Sequence, residues 1–137
     1  MWKSTSERGR VMGMRINFVL KAYETEQAHV TLYSHWGSGS WREDLAAALD
    51  KAEPRWTDGS YAVRIVVSQL IGDAWDKETG YGLFTSVDGE DLGDETVIVD
   101  FTNQTINDMG NEHSFTSFIE YQGDLMENHD FAVLEAN

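Results

Sequence analysis

The stretch GSGSWREDLAAALDKAEP, residues 37–54, carries the clearest structural signal in the chain. Ser40 and Glu43 match a capping box, in which each side chain satisfies a free amide at the start of a helix. Pro54 ends the pattern, because the residue before a proline avoids the α region. The apolar residues between them recur at helical spacing and are Trp41, Leu45, Ala48, Leu49 and Ala52. This spacing predicts a helix over residues 41–53, with Leu45 and Leu49 in the core.

The segments on either side of this helix predict a hairpin and a second helix. Upstream, residues 14–22 and 28–34 are two β-branched, apolar runs separated by five polar residues, as in a β-hairpin. Downstream, residues 61–71 are rich in valine and isoleucine, which favour strands by propensity. Their apolar positions nevertheless fall on one helical face, and we therefore predict a buried helix there.

The second half of the chain predicts two strands and a short helix. The strands are expected over residues 80–87 and 96–101, with a continuation of the second toward Ile106 left open, and the helix over 113–121. The order β-β-α-α-β-β-α indicates an α+β fold, with an antiparallel sheet of about four strands and two to three helices packed on one face. We expect one domain over residues 14–121, a flexible basic extension over 1–13 with Met14 as a reasonable start, and a loosely held acidic tail over 122–137.

Charge is distributed unevenly along the chain. There are 24 Asp and Glu against 10 Lys and Arg, for a formal net charge of −14. Every Lys and Arg lies within residues 1–77, whereas residues 78–137 contain only acidic charges. A field of this sign repels nucleic acid and anionic membranes, and it attracts basic proteins or cations. The alternative interpretation is that the acidity serves solubility or adaptation to salt.

The acidic loop between the two predicted strands of the second half is the candidate partner-binding site. It does not match a calcium-binding EF-hand loop, because Leu92 and Val99 occupy positions that require oxygen ligands. We therefore interpret it as a solvated loop that faces a basic partner. Its candidate residues are Asp88, Glu90, Asp91, Asp94 and Glu95.

A second candidate cluster consists of His35, Trp36 and Trp41 around the turn after the second predicted strand. We favour a structural role over ligand binding or catalysis, because the adjacent Ser34 would point to the opposite face of a strand and could not serve as a nucleophile for His35. No catalytic residue is assigned. Histidine spacing gives no metal motif, the absence of cysteine excludes thiolate ligands, and no cofactor is predicted.

The segment LYSHWG, residues 32–37, resembles a stretch found in small uncharacterised proteins of bacteriophages and prophages. Two further stretches are similar, ETGYG at residues 78–82 and VIVD at 97–100, the latter followed by NQTI at 103–106. The resemblance covers roughly residues 14–120. It implies an origin in a mobile element and carries no known activity, cofactor or binding residue.

These observations lead to one functional expectation and to alternatives. We expect a non-catalytic, phage- or prophage-encoded protein that acts on a basic host protein through its acidic C-terminal half, in the extreme as a mimic of nucleic acid. In that extreme form, the basic host protein would be an enzyme that handles DNA or RNA. We expect the chain to act in the cytoplasm of the host cell, with no direct contact to nucleic acid or membrane. The alternatives are a small ligand-binding module or enzyme centred on His35 and Trp36, or a virion accessory protein.

Overall fold

The computed structural model describes residues 14–37 and 40–123. The expected extension over residues 1–13 and the expected tail from residue 124 onward lie outside this part of the chain. The strands are β1 (Met14–Lys21), β2 (Ala28–Gly37), β3 (Tyr81–Val87), β4 (Glu95–Asp100), β5 (Thr105–Asp108) and β6 (Asn111–Ser114), and the helices are α1 (Trp41–Ala52), α2 (Gly59–Ile71) and α3 (residues 115–123). Short 3₁₀ turns follow α1 and α2, over Glu53–Arg55 and Gly72–Asp76.

The sheet has six strands in the order β3-β2-β1-β4-β5-β6. The α+β class is confirmed, but the prediction of about four antiparallel strands was wrong in detail. The sheet is mixed, because β1 pairs with β4 in parallel, with Phe18 beside Val97, while the other neighbours are antiparallel. Two strands that pair in parallel need a long connection and are therefore distant in sequence. Local patterns in the sequence do not reveal such a pairing.

The first hairpin forms where the sequence predicts it. β1 and β2 pair in antiparallel register from Leu20 opposite Val30 to Ile16 opposite Ser34. Beyond that point the register shifts, so that two residues of β2, His35 and Trp36, stand opposite one residue of β1. A bulge of this kind re-aims side chains near the end of a strand.

Both predicted helices of the first half are confirmed. Ser40 is the N-cap of α1, but its side chain makes no capping hydrogen bond, so the Ser40 half of the predicted capping box is not formed. Pro54 ends α1 as expected, although the chain continues through a 3₁₀ turn over Glu53–Arg55 before α2. α2 begins at Gly59, where a Cβ atom would lie only 2.2 Å from the carbonyl oxygen of Ala22, so that only glycine permits this close approach.

The hydrophobic core lies between the helices and one face of the sheet. Ile16, Phe18 and Leu20 alternate along β1 toward the helices, as expected for a strand with one covered face. Trp41 of α1 packs edge-to-face on Phe18, with ring centroids 5.9 Å apart. The predicted core residues Leu45 and Leu49 are fully buried.

The end of the described chain differs from the sequence prediction. The helix predicted over residues 113–121 is present as α3 but begins two residues later, at Phe115, because residues up to Ser114 form a tight hairpin of β5 and β6. Phe115 and Phe118 of α3 are buried in the core. α3 also includes Gln122, a buried residue that the sequence assigned to the acidic tail.

The connection from β3 to β4 crosses the sheet. Both strands run parallel to β1, yet they lie on opposite sides of the β1–β2 hairpin. Residues 88–94, here called the crossover segment, must therefore pass across a face of the sheet from the end of β3 to the start of β4. The helices occupy one face, and Asp88 contacts Lys21 and His29 on the other. The crossover segment thus passes over the helix-free face.

None of the helices within residues 14–37 and 40–123 is long and apolar enough to pass through a lipid bilayer.

Candidate functional site

Asp88, the first residue of the crossover segment, is attached to the sheet below it. One of its carboxylate oxygens lies 3.1 Å from Nε2 of His29 and 3.3 Å from Nζ of Lys21. His29 is fully buried, whereas the Asp88 side chain is 65% exposed. Partial desolvation raises the pKa of Asp88. The hydrogen bond and charge of Lys21, together with His29, lower it by a larger amount, so this pKa lies below its ordinary value.

The remaining predicted carboxylates divide between two roles. Glu90 accepts a hydrogen bond from the amide of Val87 at 3.0 Å, and Asp91 accepts one from the amide of Gly93 at 3.0 Å. These two exposed carboxylates therefore shape the turns of the crossover segment. Asp94 ends the segment half-buried, and Glu95 is already the first residue of β4, where strand alternation turns it toward the helix-covered side.

Strand alternation adds two carboxylates to the helix-free face that the sequence did not single out. Asp100 stands opposite Lys21, which faces away from the helices, and Glu112 stands beside Asn107 at the far edge of the sheet. Among the described residues, Arg15 and Lys21 are the only Lys or Arg residues located on strands. The crossover segment adds four carboxylates and no Lys or Arg, so acidic groups outnumber these basic ones on this face.

Beneath the start of the crossover segment lies a buried polar cluster, formed by His29, Thr31 and Ser86. The hydroxyls of Thr31 and Ser86 are 2.6 Å apart, and the Thr31 hydroxyl donates to the carbonyl of His29 at 3.2 Å. Nδ1 of His29 is the only buried side-chain nitrogen or oxygen in the described part of the chain without a hydrogen-bond partner. Serine, histidine and aspartate occur here together, but Ser86 bonds to Thr31 rather than to His29, so the set is not a nucleophilic relay.

The second predicted cluster is split by the sheet. Nδ1 of His35 forms a hydrogen bond with the hydroxyl of Tyr33 at 2.8 Å. Tyr33 pairs with Asn17 and faces away from the helices, so His35 lies on the helix-free face. Trp41 packs on Phe18 on the helix-covered face. The side chain of Trp36 lies outside the described part of the structure. His35 and Trp41 therefore share no pocket, and Trp41 is a core residue.

The pairing of His29 with Asp88 was missed by sequence reasoning. The two residues are 59 positions apart, and neither belongs to a recognisable motif. The one available signal was the alternation of β2 and β3, which aligns His29 with Ser86 once the two strands are paired.

Within residues 14–37 and 40–123, no group of three or more His, Asp or Glu side chains is arranged to hold a metal ion. Comparison of the chain with protein-family models, with curated proteins and with solved structures found no match.

Proposed function

We propose that this chain is a non-catalytic binding protein of a bacteriophage or prophage, which engages a basic host protein through the acidic half of its sheet. The phage origin rests on the resemblance of residues 32–37 to phage and prophage proteins. The observation that carries the binding role is the crossover segment, which contains four carboxylates and no basic residue and lies above a sheet face whose strands contribute Arg15, Lys21, Asp100 and Glu112.

The charge of α1, α2 and their connection contrasts with that of the crossover segment and supports the choice of surface. α1, α2 and their connection carry Arg42, Lys51, Arg55 and Arg64 among their acids. Residues 41–71 contain five acidic and four basic residues, whereas the crossover segment contains four acidic residues and no basic one. A partner guided by charge would therefore orient the molecule with the crossover segment toward itself, because complementary potentials act mainly on the association rate and on register.

Attachment of the segment to the sheet also favours recognition. A loop that is already fixed in place loses less conformational entropy on binding than a free one. The pair between Asp88 and His29, and the turns closed by Glu90 and Asp91, fix the path of the backbone. The exposed carboxylate oxygens that these bonds leave open are available to lysine or arginine side chains.

Two matched variants test this function. The crossover variant carries Glu90→Gln, Asp91→Asn, Asp94→Asn and Glu112→Gln, whose amide oxygens still accept the turn-forming hydrogen bonds. The helix-layer variant, which removes the same four charges from the opposite side, carries Glu43→Gln, Asp50→Asn, Glu53→Gln and Glu120→Gln. Both leave Asp88 unchanged, because it anchors the segment.

We expect basic proteins from a bacterial lysate to bind the parent and the helix-layer variant, and not the crossover variant. Binding to the parent should weaken as salt rises from about 0.1 M to about 1 M, since the screening length falls from roughly 10 to 3 Å. If a captured protein is displaced by added duplex DNA, the acidic face occupies a nucleic-acid site, as mimicry requires. Equal loss of binding in both variants would show that only net charge matters, and unchanged binding in both would contradict the proposal.

A further inference from the structure

The two edges of the sheet differ in the protection that they offer against pairing with another chain. β6, at one edge, has four residues and includes Glu112 and His113. β3, at the other edge, has seven residues, YGLFTSV, with no charged residue and no proline. Natural proteins protect edge strands with short length, charge, proline or a covering element. β6 has two of these features, whereas in β3 only the last residue is covered, because the amide and carbonyl of Val87 bond to Glu90.

The side chains of β3 are unusually exposed for their type. Leu83 and Val87 are 59% and 49% exposed on the helix side, and Phe84 is 40% exposed on the other. Beside Leu83, a groove of about 310 Å³ separates β3 from α2, with Val30, Val63 and Val67 in its walls. Trp75, in the turn that leads toward β3, is 79% exposed. Apolar surface therefore extends along the whole edge.

We propose that β3 pairs with β3 of a second copy of this chain, so that two six-stranded sheets join into one continuous sheet. This surface is separate from the acidic face that we assign to the basic partner. Antiparallel pairing of identical strands requires a two-fold axis perpendicular to the sheet, and such an interface buries the same patch on both copies. The helix layers of the two copies then lie on the same side.

The sequence of β3 suits this symmetry. A register centred on Phe84 places this residue on the axis opposite its own copy and Tyr81 opposite Val87, where the amide and carbonyl of Val87 keep their bonds to Glu90. Cross-strand pairs of aromatic and β-branched side chains are among those that stabilise antiparallel sheets. Leu83 and Val87 of each copy extend the apolar grooves on the helix side.

The exposed apolar area agrees with what a dimer needs. A large aromatic residue has an area of about 150–250 Å², and aliphatic residues have somewhat less. On this scale, about 500 Å² is exposed in total by Leu83, Phe84, Val87, Val30 and Trp75. A standard interface covers about 800 Å² per partner, of which about 56–58% is apolar. The β3 edge can supply this share, and its backbone groups supply the polar remainder.

Charge decides how this dimer responds to salt. The paired strands bear no charge, but two chains of net charge −14 repel each other from a distance. Salt screens that repulsion, so dimerisation should strengthen as salt rises, whereas binding of a basic partner should weaken. The opposite signs allow the two proposals to succeed or fail separately.

Sedimentation velocity of the full chain at about 0.1 M and about 1 M salt tests the dimer. We expect a concentration-dependent shift from 15.5 kDa to twice that mass, with a larger dimer fraction at high salt. Phe84→Lys and Leu83→Lys should each weaken the dimer at least tenfold. Thr102→Lys, which makes the same charge change in an exposed turn, should not. A single 15.5 kDa species under every condition would overturn the proposal.

The absence of cysteine gives a second test that does not depend on the lysine variants folding. Phe84→Cys places one thiol on the proposed axis, opposite its own copy, and copper phenanthroline in air should oxidise the two thiols to an intermolecular disulfide. Glu112→Cys on the β6 edge is the matched control and should remain monomeric on a non-reducing gel. Cross-linking through Glu112→Cys and not through Phe84→Cys would show that the wrong edge was chosen.

Discussion

The two faces of the sheet are both buried, but they are held by different forces. On the helix-covered face, Ile16, Phe18 and Leu20 pack against α1 and α2, and burial of apolar surface stabilises the contact. On the helix-free face, the buried groups include His29, Thr31 and Ser86, whose polar atoms bond to one another and to the crossover segment. The first face should be sensitive to lost volume, and the second to lost hydrogen-bond partners. This difference can be tested by mutation.

The largest effect is expected on the helix-covered face. Leu49→Ala removes a fully buried side chain at the centre of the core and should lower the free energy of unfolding by about 2–5 kcal/mol. Urea denaturation measures this change. Leu83→Ala deletes the same atoms from an exposed position of β3 and should change stability by about 0.5 kcal/mol or less at protein concentrations where the chain is monomeric. Similar losses for both variants would contradict the assignment of the core.

A smaller loss is expected where α2 meets the end of β1. Gly59→Ala puts a Cβ atom 2.2 Å from the backbone oxygen of Ala22, so that the helix must shift. Overpacking of this kind costs about 1–3 kcal/mol. Gly82→Ala, at a site with nothing within 4 Å of the added atom, is the control in the same denaturation experiment. A neutral Gly59→Ala would mean that α2 is not held against β1.

The helix-free face should respond to unpaired polar groups rather than to volume. Thr31→Val keeps the shape of the side chain but leaves the buried Ser86 hydroxyl without its partner, which should cost about 1–3 kcal/mol. The double variant Thr31→Val/Ser86→Ala should be less destabilised than the sum of the single variants, because both partners are then removed together. Thr85→Val, at the exposed neighbouring position, serves as the control. Strict additivity in the double variant would show that the two hydroxyls do not depend on each other.

The smallest effect concerns the anchor of the crossover segment. Because Lys21 and His29 hold the pKa of Asp88 below its ordinary value, its carboxylate stabilises the native state above the unfolded pKa of about 3.9. That contribution is lost as pH falls through the lower native pKa. The parent should therefore be more stable than Asp88→Asn at neutral pH, by less than about 1 kcal/mol since the group is exposed, and the difference should vanish in acid.

Urea denaturation at several pH values measures this difference. Lys21→Met should reduce the same pH dependence only in part, because His29 still contacts Asp88. A difference between the parent and Asp88→Asn that stays constant down to strong acid would contradict the proposed charge pair.

Local signals in the sequence predicted the elements that depend on local geometry. The first hairpin and both long helices follow from periodicity and from Pro54. The β5–β6 hairpin was missed because its turn places Met109, a residue that rarely adopts positive φ, at φ 50°, before Gly110. A two-residue hairpin turn is normally indicated by Asn-Gly or Asp-Gly.

Long-range pairings were outside the reach of sequence patterns. Nothing near Glu95 indicates that β4 pairs in parallel with β1, and this pairing is what makes the chain cross the sheet. The predicted carboxylates therefore fell into different roles, with Asp88 as an anchor and Glu95 on a strand. His35 and Trp41 were grouped because they are close in sequence, although the sheet separates them.

The parallel pairing of β1 with β4 has a consequence for the newly made chain. About 70 residues separate the end of β1 from the start of β4, and at 5–20 residues per second the ribosome takes roughly 4–14 s to make them. During that interval, the edge of β1 that will pair with β4 has no partner strand. A chaperone that recognises extended apolar segments could bind Ile16–Leu20 at this stage. It would be displaced as Glu95–Asp100 emerges, because the crossover segment then brings β4 against β1.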